Sequence, residues 1–267
     1  MGTASSSITG SATVTAFESI VAQRLRTSEA LTRGLDKLIS HGEFVTFGNE
    51  VFMLFAMAFQ LALQQWLVHM AKFILPHIRQ RRPELIPPTL IEDHKLAMTA
   101  AQKFQALLVP ATLDATGPEL CVQNQRAMLD LKGVLEHLIR QEASMLSSAL
   151  SLQLFADADA TEIRSQMDAF ASQRGDQLLV LPFVAHQLSV EQLRGFREYI
   201  GGAEKEKLKD GTEKYLQVWR FSHSPPLTAA ATETGGGFFS SPQCCSGRKS
   251  SQQRASGSRF DDAQFLE

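Results

Sequence analysis

The stretch VFMLFAMAFQLALQQWLV, Val51 to Val68, decides whether this chain crosses a membrane or builds a helical core. Its length approaches the ~20 apolar residues that a membrane-spanning helix needs. However, Gln60, Gln64 and Gln65 cluster in its second half, and their spacing of four and five places them near one side of a helix. We therefore expect a buried helix in a soluble bundle rather than a transmembrane segment.

Apolar periodicity and helix-ending residues predict helices on both sides of this stretch. A helix from Val14 to Ser40 precedes it, and the central helix itself runs from about Glu50 to Arg79 with a kink at Pro76. The helices predicted after it span 89–108, 120–154, 157–172, 189–199 and 203–221, with the segment LLVLPFVAH separating the third from the fourth. Ser189, with Gln192 three residues later, resembles a capping box.

These segments predict an all-α fold, an antiparallel four-helix bundle with additional C-terminal helices. We expect a flexible N-terminus over 1–13, the bundle with its extension over 14–222, and a disordered tail over 223–267. After Ser224 the composition shifts to Gly, Ser and Pro, which bury too little apolar area to offset the entropy lost on ordering.

Charge and cysteine content exclude several classes of function. The 267-residue chain has 26 basic and 28 acidic side chains, so its net charge of -2 does not favour nucleic acid. Its 3 cysteines, Cys121, Cys244 and Cys245, do not form a disulfide framework and indicate a reducing compartment. We expect an intracellular, most simply cytoplasmic, protein. The sequence Met1–Ser6 fits the N-myristoylation pattern and the first 26 residues faintly resemble a transit peptide, but both patterns are common by chance.

Histidine positions suggest a site inside the bundle. In antiparallel helices joined by a loop at Ala115, His94 lies 21 residues before the loop and His137 lies 22 residues after it, so both should lie at the same depth. His69 lies about 7 residues out of step with His94, or ~10 Å at 1.5 Å per residue, and His77 matches that level better. We expect His41, at a predicted helix break, to lie in a loop.

The order of these elements resembles hemerythrin-like (HHE cation-binding) domains over about Phe17 to Tyr199. The matching motifs are His69 with Ile74-Leu75-Pro76, then Ile91-Glu92-Asp93-His94, then His137-Leu138-Ile139-Arg140-Gln141-Glu142. The later LPFVAHQLSVEQLRGF looks like the extension of some eukaryotic members. The resemblance implies iron bound in the bundle core, with His69, His94, His137 and Glu142 as the ligands that this chain retains.

Departures from the family pattern leave the metal content open. Phe73 stands where a glutamate is expected four residues after His69, Gln141 stands four residues after His137, and the first helix has no histidine around 27–29. A di-iron centre needs bridging carboxylates, of which this chain offers at most one. An intact di-iron site, a weak mononuclear site and a bundle without metal are the three alternatives.

Two functions follow from these alternatives. The first is a hemerythrin-like bundle that binds or senses iron or another divalent metal through a degenerate ligand set, and is not an enzyme. The second is a metal-free helical interaction scaffold for an unknown protein partner. We find no nucleotide-binding or other catalytic motif that would favour a third.

Overall fold

The computed structural model describes residues 15–42, 50–108 and 118–223, and within these ranges every regular element is helical. The α-helices are α1 Ala16–Gly42, α2 Glu50–His69, α3 Leu75–Arg81, α4 Leu90–Leu108, α5 Pro118–Ser151, α6 Asp157–Arg174, α7 Gln177–Gln187, α8 Val190–Tyr199, α9 Gly202–Lys214 and α10 Leu216–His223. A π-helical turn, Met70–Ile74, joins α2 to α3, and a 3-10 turn, Pro83–Leu85, follows α3. The all-α class predicted from the sequence is confirmed.

Several predictions lie outside the described residues. They are the flexible N-terminus 1–13 with its myristoylation and transit patterns, the loop at Ala115, and the tail from 224 onward with Cys244 and Cys245. His223, placed in the tail by the sequence, is the last residue of α10.

Helix α5 runs antiparallel to both α1 and α4. Lys132 of α5 lies 2.6 Å from Asp36 of α1, and Glu142, later in α5, lies next to Arg24, earlier in α1. Residue numbers therefore increase in opposite directions along the two helices. At the start of α4, Thr89 accepts a hydrogen bond from Gln141 of α5. His137, one turn earlier in α5, lies 3.4 Å from Asp93, one turn later in α4. The antiparallel registers expected for these two pairs are therefore present.

Two glutamines of α2 bond to α4. Gln60 Nε2 donates to the carbonyl of Ala101 at 2.9 Å, and Gln64 Nε2 donates to Gln105 Oε1 at 2.9 Å. Because α3 continues α2 to Arg81 and only residues 82–89 connect it to α4, α4 returns alongside α2, where the rings of Phe59 and Phe104 lie 5.8 Å apart. The all-α class is established, and the regular antiparallel four-helix bundle stays a prediction.

The apolar run Val51–Val68 lies in the protein's own core. The run Val51–Arg81 is the one part of the described chain long and apolar enough to cross a membrane, and 61% of its most apolar window is buried inside the protein. Phe52, Phe55 and Phe59 are fully buried. The glutamines on its polar side bond to protein groups, as the amides of Gln60 and Gln64 show, which is the behaviour expected of a core helix.

The predicted kink at Pro76 takes the form of a π-helical turn. Pro76 has no N–H to donate, so the hydrogen-bond ladder of the long helix cannot continue unchanged through it. The N–H of Leu75 bonds to the carbonyl of Met70, five residues back, instead of the usual four. His69 is the last α-helical residue before this turn, so the irregularity adjoins a predicted site residue.

The structure corrects three predictions, two of them in the C-terminal extension and one in α1. The segment LLVLPFVAH is the buried helix α7 rather than a connection, and Pro182 lies inside that helix. The predicted charged helix 203–221 is two helices, α9 and α10, that break at Tyr215. His41 is not in a loop but in the last turn of α1, where it is 1% exposed and its Nδ1 lies 3.0 Å from the carbonyl of Lys37.

The capping residues predicted at the start of α8 are confirmed. Ser189 Oγ accepts from the N–H of Gln192 at 3.3 Å, and Gln192 Oε1 accepts from the N–H of Ser189 at 2.9 Å. This is the reciprocal capping box predicted from the sequence. It fixes the point where α8 begins.

Candidate functional site

A buried charge network links three of the long helices. Arg24 of α1 and Glu142 of α5 are 4% and 2% exposed, and Arg24 Nη2 lies 2.6 Å from Glu142 Oε2. Arg24 Nη1 also donates to the backbone carbonyl of Trp66 at 3.0 Å, and its guanidinium lies 4.5 Å from the centroid of the Trp66 ring. The planar guanidinium is thus held by a carboxylate, a carbonyl and an aromatic face.

His94 of α4 completes this network. It is 1% exposed, and its Nε2 lies 2.8 Å from Glu142 Oε1. Burial alone would raise the pKa of Glu142, but the charge of Arg24 and the hydrogen bond and charge of His94 hold that pKa below its usual value. Glu142 is therefore an ionised carboxylate in the protein interior, with Arg24 as its counter-ion.

His137 belongs to a second pair, nearer the surface. Its side chain is 53% exposed, and its Nε2 lies 3.4 Å from Asp93 Oδ2. Gln141 Nε2 lies 2.9 Å from the same His137 nitrogen and donates to Thr89 Oγ1 at 2.7 Å. His137 and Glu142 are five residues apart, which is about 140° around a helix, so both cannot face the interior.

His69 lies on the other side of Arg24. Its Nε2 is buried and has no hydrogen-bond partner among the described residues. Burial, together with the charges of Arg24 and Arg174, lowers the pKa of His69 to about 3. Its ring packs edge-on against Phe73 and Phe170, with centroids 6.0 Å and 5.9 Å away. His69 is therefore a neutral imidazole at physiological pH.

The four predicted ligands thus occupy different surroundings. His94 and Glu142 are in contact, His137 is half exposed beside Asp93, and His69 is partly buried beside two aromatic rings. Within the described ranges, no group of three or more His, Cys, Asp or Glu side chains is arranged to hold a metal ion. Metal binding through His69, His94, His137 and Glu142 stays a prediction.

Arg24 is the central residue that sequence reasoning missed. The apolar stripe of α1 includes Phe17, Ile20 and Leu31, which are all buried, and Arg24 falls on this same stripe. Leu25, the next residue of α1, is 41% exposed. A lone arginine at a core-facing position, with a carboxylate on a facing helix, was the available signal.

A cavity of about 80 Å³ adjoins the network, between α1, α2, α6, α7 and α8. Arg24, Trp66 and His69, from α1 and α2, line it together with Asp168 of α6 and Glu204 of α9. Burial, and next the charge of Glu204, raise the pKa of Asp168 to about 6, and Arg164 opposes this shift. The cavity therefore joins nitrogen donors and poorly neutralised carboxylates in one space.

Comparisons with protein-family models, with curated proteins and with solved structures found no match. The assignment of function therefore rests on the geometry described above.

Proposed function

We propose that this chain is a metal-free helical interaction scaffold that binds a protein partner. The observation that carries the proposal is the contact between Arg24 and Glu142. In a metal-binding bundle the ion supplies the positive charge that buried carboxylates need. Here a guanidinium supplies that charge at 2.6 Å. A divalent ion beside Glu142 would be repelled by Arg24, whose charge is permanent.

The tests of this proposal are metal analysis and a visible absorption spectrum on protein expressed in iron-rich medium. We expect far less than one ion per chain, and the same trace content in Glu142→Gln. A stoichiometric ion that disappears in Glu142→Gln would contradict the proposal. The Lys132→Met variant, which removes only the surface ion pairs with Asp36 and Glu136, is the matched control.

Metal binding by a hemerythrin-like domain remains the second candidate. One observation favours it: His94 and Glu142 extend from facing helices and lie 2.8 Å apart, with Asp93 and His137 paired beside them. An imidazole and a carboxylate from facing helices are the donors that iron sites in bundles use. Stoichiometric metal in the analysis above would favour this candidate, together with the resemblance on which it is based.

The partner-binding surface that we propose for the scaffold is a groove of about 850 Å³ between the end of α7 and helices α8 and α9. Its apolar lining includes Leu193, Leu208 and Val190, and Val190 is 82% exposed. Its charged lining consists of Arg194, Arg197, Lys205 and Lys209, against Glu198 and Glu213. The four cations have no ion-pair partner in the part of the chain that the structure describes.

This combination fits an acidic amphipathic peptide segment of another protein. The concave shape suits a helix laid into a groove, whereas a membrane surface is contacted by a convex or flat face. The apolar lining would be left uncovered by a nucleic-acid backbone. Carboxylates on the partner would pair with the uncommitted cations, and its apolar residues would cover Val190 and Leu193.

The groove is tested with a helical Glu/Leu peptide, a Lys/Leu peptide of the same pattern and anionic lipid vesicles. We expect only the Glu/Leu peptide to bind, with affinity that falls as salt rises. The double variant Arg194→Glu/Lys209→Glu should abolish binding, while Lys103→Glu on exposed α4 surface should not. Binding of vesicles instead, or binding that survives the charge reversal, would contradict this partner.

A further inference from the structure

Four polar atoms of the residues that line the 80 Å³ cavity have no hydrogen-bond partner among the described residues. They are Gln23 Oε1, Arg24 Nε, Trp66 Nε1 and His69 Nε2. Arg24 Nε and Trp66 Nε1 can only donate, so they need an acceptor. Leaving buried donors unpaired is unfavourable, so a ligand that brought acceptor oxygens to these two residues would stabilise them.

The other polar end of the cavity has the opposite chemistry. Asp168 and Glu204 both line it, and the charge of Glu204 disfavours ionisation of Asp168. Arg164 Nε lies 3.7 Å from Asp168 Oδ2, beyond good hydrogen-bond distance. A group that donates hydrogen bonds and carries positive charge would stabilise both carboxylates.

We propose that this cavity binds a small molecule carrying both a carboxylate and an amine, of the size of a free amino acid. Its carboxylate accepts from Arg24 and Trp66, and its ammonium pairs with Asp168 and Glu204. Apolar side chains of Ile20, Val180 and Phe196 line the space between the two ends.

Size sets the limit on the ligand. Cavities for drug-sized ligands hold about 300–1,000 Å³, and this one holds about 80 Å³. A nucleotide or sugar phosphate does not fit that space, and a molecule with a few heavy atoms does. The inference is independent of the partner groove, because the two sites share no lining residue.

The probes for the test are glycine, 4-aminobutyrate, propionate and propylamine, each titrated calorimetrically into the full chain. We expect at least one of the two amino acids to bind and to raise the midpoint of thermal unfolding with concentration. Propionate and propylamine, which satisfy one end each, should bind more weakly by about tenfold, as expected for the loss of one charge-assisted interaction.

Two shape-preserving variants assign the ends of the ligand. Trp66→Phe keeps an aromatic ring but removes the N–H, and should weaken the binding of the amino acid and of propionate by about tenfold. Asp168→Asn should weaken the binding of the amino acid and of propylamine but not that of propionate. Asp36→Asn, on the surface of α1, should change neither. The proposal is overturned if no probe binds, which would leave the cavity to water, or if both site variants bind like the parent.

Discussion

The guanidinium of Arg24 and the carboxylate of Glu142 lie 118 residues apart in sequence and 2.6 Å apart in space. Both are almost fully buried, so neither charge can be hydrated if the other is removed. Each is therefore the main reason that the other is tolerated in the interior. This pair is the polar centre of the described helices.

Removing one member of the pair should destabilise the protein strongly. Arg24→Met leaves Glu142 buried without a counter-ion, which costs about 3–5 kcal/mol in the free energy of unfolding. The double variant Arg24→Met/Glu142→Leu should recover most of that loss, because apolar replacements of a buried ion pair are often close to neutral. Urea denaturation gives the free energy of unfolding of the parent, the single variant and the double variant. Lys132→Met, at an exposed pair, should cost only about 0–1 kcal/mol.

This comparison decides between two accounts of Glu142. If Arg24→Met costs no more than Lys132→Met, Arg24 is not the counter-ion that the geometry indicates. The His94–Glu142 contact would then have to account for the burial of the carboxylate by itself.

The acid sensitivity of the fold should depend on His69. Its pKa is lowered to about 3 in the folded protein from 6.5, so between these values the unfolded chain binds a proton that the folded chain does not. Stability should therefore fall as pH decreases from 6.5 towards 3, by up to about 1.4 kcal/mol per unit from this residue. His69→Phe should flatten that slope, since a ring that does not titrate fills the space between Phe73 and Phe170.

Unfolding free energies measured by urea titration across this pH range provide the check. His137→Asn is the matched control, a histidine replaced at a side chain that is half exposed. An equal slope in the parent and in His69→Phe would mean that His69 reaches solvent in the folded protein.

Sequence reasoning recovered depth along helices better than direction around them. The spacing from the predicted loop placed His94 and His137 at one level, and the Asp93–His137 contact agrees with it. Depth follows from counting residues at 1.5 Å each, which needs no knowledge of packing. The direction in which a side chain points around the helix does depend on packing, and the sequence alone did not reveal that Glu142 faces inward and His137 outward.

Two further elements could not be predicted for physical reasons. Arg24 was missed because burial of an arginine is rare unless a partner is present, and its partner is 118 residues away. Helix α7 was missed because Pro182 predicts a helix end, whereas here the helix continues through it. In both cases tertiary contacts override a local preference.

Asp168 should lower stability at neutral pH. Its pKa is raised to about 6 from 3.8, so the folded protein favours the protonated form, and the stability that this gives is lost as pH rises through 6. Asp168→Asn should therefore stabilise the protein at pH 7 by a few tenths to about 1 kcal/mol, with allowance for solvent around a partly exposed group. The gain should vanish below about pH 4. A loss of stability at pH 7 would instead make the Arg164 contact the dominant effect.

Helix α9 approaches α7 closely at Gly211, and this contact depends on the absence of a side chain. Pro182 has no N–H, so the carbonyl of Leu178, four residues earlier, lacks its usual helical donor. Gly211 packs against that carbonyl, and a methyl group at residue 211 would overlap its oxygen and lie 2.8 Å from Pro182 Cγ. The Gly211 carbonyl also accepts from Trp219 Nε1 at 3.1 Å, which ties α10 to the same point.

Gly211→Ala should therefore destabilise the protein by about 1–3 kcal/mol or more, because the overlapping atom belongs to the backbone and cannot rotate away. Gly133→Ala is the matched control. Gly133 also lies inside a helix, but nothing lies within 4 Å of a methyl group there. It should stabilise α5 by about 0.5–1 kcal/mol, because alanine favours helix more than glycine does. Thermal and urea unfolding of both variants give the sign, and opposite signs are the expected result. If Gly211→Ala were also stabilising, α9 would not pack on the Leu178 carbonyl, and the partner groove that α9 borders would have a different shape.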